Sequence, residues 1–412
     1  MLVALRSVAS LLLAAFLLIL GNGLTNILLP IRMGVEGLAT EVAGLVMSAY
    51  YAGLLLGCLF GRLVIERVGH IRAFAAFAAV VCAAAVMYPL WFHPVYWAGL
   101  RVAGGFGMAA LFATIESWLN DRAANEARGR IFSVYMAVAY LASGGGQFLV
   151  NGYDVRGLEL FSLAAMLLCL SLVPVALTRQ TGPDIAQARP LPFRELYRIS
   201  PLGIAGCLGG GLLSGAYYSM APLFGHDIGL SVFGVSVLMG VTVLGGLTLQ
   251  WPIGRLSDKL DRRTVLLFVL IGVTLVCLAQ YGQAFLPLHA PALHALSALY
   301  GGFSATIYPI AVSHAFDYVD KSRMVAASSG MLLAWAIGST AGPLLASVVM
   351  AHTGPWSLYL VLAAVSGLMA GFTRYRMRRR AALPAAEQAA FVPRAETPIV
   401  RGALDPRTAG TE

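Results

Sequence analysis

Charge is what this chain has least of: 11% of its 412 residues are Asp, Glu, Lys or Arg, and only 19 of them are acidic. So little charge cannot cover a water-facing surface of that size, which excludes a soluble multidomain protein and leaves lipid as the solvent. Cysteine is scarce as well. Cys58, Cys82, Cys169, Cys207 and Cys277 all fall in apolar runs, with no Cys-x-x-Cys and no histidine at metal-ligand spacing, so they read as small buried residues. A Gly-rich nucleotide loop and a catalytic-triad pattern are also missing, so neither ATP-driven chemistry nor an enzyme is supported, and no cofactor or metal is expected. No basic patch is interleaved with stacking aromatics, so the net charge of +9 does not point to nucleic acid.

What fills the chain instead is apolar: 59% of residues are hydrophobic. Runs long enough to span recur at 7–29, 40–61, 72–92, 96–119, 131–150, 158–178, 201–222, 232–253, 264–286, 292–314, 324–350 and 356–373. Each reaches the roughly 17 to 20 residues a helix needs to cross a bilayer core of ~30 Å. Barrel strands would alternate in polarity and be about half as long. The expected fold is an all-α membrane protein of twelve transmembrane helices. Leu2 to Leu29 is longer than the apolar region of a secretory signal and has no clear small-residue cleavage site after it, so it is read as the first helix.

The cations sit on alternate connections. Arg62, Arg67 and Arg72, then Arg122, Arg128 and Arg130, then Arg179 to Arg198, then Arg255 to Arg263, then Lys321 and Arg323, then Arg374 to Arg380 fall on one side, leaving Arg32 and Arg156 on the other. The positive-inside rule places that side, with both termini, in the cytoplasm. Four regions are expected: a six-helix bundle over 1–178, a cytoplasmic linker over 179–200, a second bundle over 201–376, and a disordered tail over 377–412 without periodicity.

The second bundle repeats the first. Asn22-Gly23-Leu-Thr25-Asn26 with Pro30 is matched 192 positions later by Ser214-Gly215-Ala-Tyr217-Tyr218 with Pro222. Gly61-Arg62-Leu63 returns as Gly254-Arg255-Leu256, the run from Ala103 to Gly107 as that from Tyr300 to Ser304, and Met136 with Tyr140 as Met331 with Trp335. Four matches in order at a nearly constant offset argue for a six-helix unit duplicated in parallel, with a solute site near the midplane between halves. Gly53, Gly57, Gly61, Gly338 and Gly342 are spaced to let helices pack closely.

The most specific stretch is Gly254-Arg-Leu-Ser-Asp258-Lys-Leu-Asp261-Arg262-Arg263, a short basic hinge between two apolar runs. It resembles the Gly-x-Leu-x-Asp-Lys/Arg-x-Gly/Asp-Arg-Arg loop signature of the major facilitator superfamily. The first-half loop, with Glu66, Arg67 and Gly69, is a weaker copy with one residue inserted and Glu for Asp. Arg101-Val-Ala-Gly-Gly105-Phe-Gly107 resembles the superfamily's helix 4 motif. Glu116-Ser117-Trp118-Leu119-Asn120, Gly301-Gly-Phe and Tyr308-Pro309 are similar to the bacterial YcaD-like branch. The Gly-Pro of the antiporter motif is absent from Ser143-Gly-Gly-Gly-Gln147, and Gly342-Pro343 restores it only in part. The resemblance implies a monomeric secondary transporter that moves a small organic solute by alternating access. Proton-linked efflux is the leading expectation, an uncoupled or uptake facilitator the rival, and a sensor without transport the reading of another class.

Three groups of residues are candidates for that work. The resemblance implies a gate at Glu66, Arg67, Gly69, Gly254, Asp258, Arg262 and Arg263, with Asp258 facing Arg130 and the start of helix 5; charges that merely set topology are the simpler reading. Glu116, near the inner end of its span, is the candidate proton carrier, against a plain interfacial role with Asn120. Asn22, Thr25 and Asn26 with Tyr217 and Tyr218 are the candidate solute contacts, because amides and phenols at lipid depth need partners. Arg101 joins them as the one cation well inside a span, bound either to backbone carbonyls or to an anionic group of the solute. Tyr140, Gln147, Tyr308 and Trp335 are weaker candidates, aromatics at helical spacing being core more often than site.

Overall fold

The computed structural model describes residues 2–122, 128–177, 191–286, 289–320 and 323–379. Among them there is no strand. The first half runs α1 Leu2–Val35, α2 Thr40–Val68, α3 His70–Met87, α4 Pro94–Arg122, α5 Arg128–Phe148 and α6 Glu159–Ala176. A short helix at Phe193–Ile199 precedes the second half: α7 Pro201–Asp227, α8 Val232–Lys259, α9 Arg262–Gly282, α10 Ala290–Phe316, α11 Met324–Thr353 and α12 Ser357–Arg379. Among the described residues ten of these helices are long and apolar enough to cross a membrane; α5 and α7 are 21 and 27 residues long. The last helix runs to Arg379, past the boundary expected at 376. Residue 178, residues 179–190 of the expected linker and the tail from 380 on lie outside the described residues.

Packing repeats with the sequence. In the first half α1 packs on α5 and α6, α2 on α4, and α3 on α4 and α6. Adding six to each number gives the second half: α7 on α11 and α12, α8 on α10, and α9 on α10 and α12. The halves meet in an equally paired way, α2 against α11, α5 against α8, and α1 against α7. That is the contact pattern of two six-helix bundles related by an approximate twofold axis. Large apolar side chains such as Leu63, Leu141, Phe268, Leu275 and Leu368 are left exposed on the outside, where lipid is their solvent.

Local chemistry repeats too. α1 and α7 both end in a six-to-one turn closed by glycine, with Leu38 N–H donating to Met33 and Leu230 N–H to Gly225, and with φ of 69° at Gly37 and 83° at Gly229. Both helices carry an internal proline, Pro30 and Pro222, which has no N–H to give. The carbonyls of Asn26 and Tyr218, four residues earlier, therefore lose their helical donor, and each helix is free to bend there. Glycine sets the closest approach: a Cβ on Gly105 would sit 2.0 Å from the Tyr50 carbonyl oxygen, and one on Gly301 2.0 Å from that of Thr242. Any side chain at either position would force α4 off α2, or α10 off α8.

The short helix Phe193–Ile199 meets α7 at 117° and docks on the start of α11. Leu196 is buried beside Gly330, the Leu191 N–H donates to the Ala326 carbonyl (3.1 Å), and Glu195 pairs with Arg323.

Candidate functional site

Between the halves lies a cavity with about 920 Å³ of empty space, of which the centres of water molecules can reach about 90 Å³. Its walls come from α1, α2, α4 and α5 on one side and α7, α8 and α11 on the other. Asn22, Asn26, Ser143 and Gln147 supply polar groups from the first half, Ser214 and Tyr218 from the second. Tyr50, Tyr51, Phe112, Tyr140 and Trp335 give it an aromatic lining, and no Asp, Glu, Lys, Arg or His is among the lining residues. The repeat is visible in the walls: Asn22 and Ser214, Asn26 and Tyr218, and Tyr140 and Trp335 are equivalent positions that meet in one space. A mostly apolar cavity with a few fixed polar groups suits a small organic solute.

Of the expected solute contacts, Asn22, Asn26 and Tyr218 line this cavity. Tyr217 does not. It is fully buried, bonds Thr242 Oγ1 through its hydroxyl (2.8 Å) and stacks on Tyr300 at 4.4 Å, so it cements α7 to α8 and α10. Consecutive helical residues point about 100° apart, so Tyr217 and Tyr218 cannot share a face. Thr25 donates to the Gly21 carbonyl of its own helix (3.0 Å) and faces a smaller adjoining space. Tyr140, Gln147 and Trp335, weaker candidates from sequence, are wall residues; Tyr308 is not, packing edge-on to Trp335 at 6.4 Å. Tyr50, Tyr51, Phe112, Ser143 and Ser214 were missed. The repeat carried a signal for Ser214, which stands where Asn22 does.

Arg101 is 2% exposed and stands beside the cavity wall. Its Nη1 donates to Asn26 Oδ1 at 2.9 Å, its guanidinium carbon lies 4.3 Å from the centre of the Tyr50 ring, and the Tyr50 hydroxyl donates to Asn22 Oδ1 at 3.3 Å. Among the described residues no carboxylate lies within 4 Å of it. The Tyr88 hydroxyl is within hydrogen-bonding reach as well, so this buried cation is held by an amide, a phenol and an aromatic face, all of them neutral.

The family model of the Major Facilitator Superfamily matches residues 11–279 and again 215–404. The chain belongs to the major facilitator superfamily. It is 31% identical over 367 residues to the "Uncharacterized MFS-type transporter YcaD" of Escherichia coli O17:K52:H18 (strain UMN026 / ExPEC), covering 88% of this chain and 93% of that one. It is also 31% identical over 371 residues, with the same coverage, to YcaD of Salmonella heidelberg (strain SL476). Solved transporters share the fold at low identity. The nucleoside transporter NupG superposes with a TM-score of 0.72 at 14% identity, covering 90% of this chain and 99% of NupG. The D-xylose-proton symporter superposes at 0.65 and 14%, covering 89% and 96%. The protein is thus a membrane transporter of this superfamily.

The superfamily loop signature sits at the corner where α8 turns into α9. Asp261 is the N-cap of α9, accepting from the Arg263 N–H (3.0 Å) and bound by the Arg263 side chain (2.8 Å). Partial burial acts to raise the Asp261 pKa, but those hydrogen bonds and the Arg263 charge outweigh it and hold the carboxyl below the usual Asp range. Arg262 is 1% exposed; its Nε lies 3.4 Å from Asp317 at the end of α10, and its Nη2 3.9 Å from the partly exposed Asp258. Asp317 was missed by sequence reasoning. The expected gate residues thus divide: Arg262 ties α9 to α10 within the second half, and Arg263 folds back on its own cap. Gly254 is buried in α8. The side chain of Arg130, the expected partner of Asp258, lies outside the described residues.

In the first half Glu66 pairs with Arg62 on the surface, Arg67 is exposed, and Gly69, at φ 84°, joins α2 to α3. His70 occupies the first turn of α3 as Arg262 does that of α9, and its Nε2 lies 3.2 Å from Ser117 Oγ on α4. The neighbouring Glu116 is 2% exposed and lies within electrostatic reach of Tyr135 on α5. It does not line the central cavity.

Proposed function

We propose that this protein carries a small organic solute across a bacterial inner membrane by alternating access, with both termini cytoplasmic. The observation that supports this most is the uncharged, aromatic-walled cavity built from equivalent positions of the two halves. Rocking of one bundle on the other would open that space to each side in turn. The test needs no known solute. In a variant whose five cysteines are alanine, Ser143→Cys should react with a membrane-impermeant thiol reagent in both right-side-out and inside-out vesicles. Reaction from one side only would favour the sensor reading.

Proton linkage through Glu116 is the second part of the proposal, supported by a carboxyl buried in a membrane helix away from the solute cavity. A group so placed can bind and release a proton as the bundles move without touching the solute. Once a transported solute is in hand, its flux in proteoliposomes should respond to an imposed pH gradient, and Glu116→Gln should lose that response while retaining exchange. An unchanged gradient dependence would leave an uncoupled facilitator. The sign of the gradient that drives net movement decides between efflux, the direction proposed here, and uptake.

A further inference from the structure

Behind the wall formed by Asn22 and Tyr50 is a second, smaller space, bounded by both of those residues, by Thr25 and Tyr88, and by Arg101. Asn22 and Tyr50 therefore belong to both cavities and separate them. The bond between them is long, 3.3 Å, and is the weak kind that a better acceptor displaces. Arg101 donates to Asn26 and lies within hydrogen-bonding reach of the Tyr88 hydroxyl, while its buried Nε has no hydrogen-bond partner. A guanidinium donor with nothing to bond is a costly thing to bury, and its uncompensated charge adds to that cost. Water centres can reach about 30 Å³ of this annex. At ~10–15 Å³ for each water-sized centre that is room for two or three oxygen atoms.

The geometry points to the annex as the anion subsite of the solute site, and to the solute as an organic carboxylate with an apolar or aromatic body. This rests on the transport reading of the central cavity and narrows it. The two oxygens of a carboxylate fit the annex, whereas the four of a phosphate or sulfate ion overfill it. A planar carboxylate matches the planar donor edge of Arg101, and the Tyr50 hydroxyl, released from Asn22, supplies a further donor. The body of the solute stays in the main cavity, against Tyr51, Phe112 and Trp335, where no charge would meet it. The position equivalent to Arg101 in the second half is Ala298, whose carbonyl packs against Gly245, so the second half offers no matching subsite.

The test uses the full chain in detergent and matched acids and amides: benzoate with benzamide, indole-3-acetate with indole-3-acetamide, and octanoate with octanamide. At least one acid should raise the melting temperature in a saturable way at concentrations where its amide does so at least tenfold less effectively. Arg101→Gln should weaken that acid by about tenfold or more, Arg101→Lys and Tyr50→Phe by less, and binding of the amide should change little. If Arg101→Gln fails to fold, the other two variants carry the test. The proposal is overturned if no acid of the panel stabilises the protein, if acid and amide do so equally, or if the Arg101 variants bind the acid like the parent. Reactivity of Ser143→Cys separates the two ideas. If it reacts from both sides while the acids fail, the carboxylate assignment alone is wrong; if it reacts from one side or neither, the cavity reading falls first.

Discussion

Arg101 in the first half and Arg262 in the second are both buried, and the two halves treat them oppositely. Arg262 begins α9, where the helix dipole disfavours a cation, and Asp317 ends α10, where it disfavours an anion. The two compensate each other at 3.4 Å, with Asp258 3.9 Å from Arg262 as well. Arg101 stands about two turns into α4 with an amide, a phenol and a ring for company and no carboxylate within 4 Å among the described residues. A cation that is neutralised in place holds helices together. One left with neutral partners contributes little to folding and remains available to a ligand.

The sharpest way to break this comparison is to remove each charge. Arg262→Met strands the buried Asp317 carboxylate and should cost about 3–5 kcal/mol, seen as a large fall in thermal stability in detergent. Replacing Asp317 by Asn in the same chain should recover much of the loss. Arg101→Met removes a cation that no acid needs, and its cost should stay below about 2 kcal/mol. Equal losses for Arg262→Met and Arg101→Met would show that Arg101 is as structural as Arg262.

The two seams between the halves differ in the same spirit. At the α2–α11 seam a Cβ on Gly44 would meet Ser347 Oγ at 2.0 Å and the Pro343 carbonyl oxygen at 2.8 Å, so backbone itself blocks it. At the α5–α8 seam a Cβ on Gly240 would meet only the ring of Phe148, at 2.7 Å, and a ring can swing aside. Gly44→Ala should therefore cost about 1–3 kcal/mol of the closed seam, and Gly240→Ala clearly less. The readout is the rate at which Ser143→Cys reacts from the side where α1 runs into α2. That rate should rise several-fold in Gly44→Ala and hardly at all in Gly240→Ala.

How far the sequence led depended on whether a feature was periodic or tertiary. Helix positions, the duplication and the wall residues Asn22, Asn26 and Tyr218 could be read because apolar length and a fixed offset repeat along the chain. Tyr217 could not be told from Tyr218, since both are phenols in one helix and only the neighbours Thr242 and Tyr300 decide which is core. Asp317 was invisible as the partner of Arg262 because 55 positions separate them and the i, i+4 acid Asp258 offers a more obvious mate. Tyr50 was overlooked because an aromatic in a membrane helix is ordinarily packing; its role lies in the arginine beneath its face, contributed by another helix.

The smallest effect is expected at the turns that start α3 and α9. Gly69 caps α3 with no side chain, whereas Asp261 caps α9 with a carboxylate held below its ordinary pKa by Arg263. A carboxyl with a depressed folded-state pKa contributes stability that is complete above its unfolded value of about 3.9 and is lost as pH falls through the folded value. Asp261→Asn keeps a capping oxygen and removes only the charge, so at pH 7 it should cost no more than about 1 kcal/mol. That difference should shrink as both proteins are taken below about pH 4, and melting curves across pH would show the two converging. The turn at Gly69 has no cap carboxylate to protonate, so Gly69→Asn, which adds a neutral side chain to the φ 84° position, should shift stability by the same amount at every pH. Convergence of the Asp261 pair alone would assign the acid sensitivity of these turns to the second half.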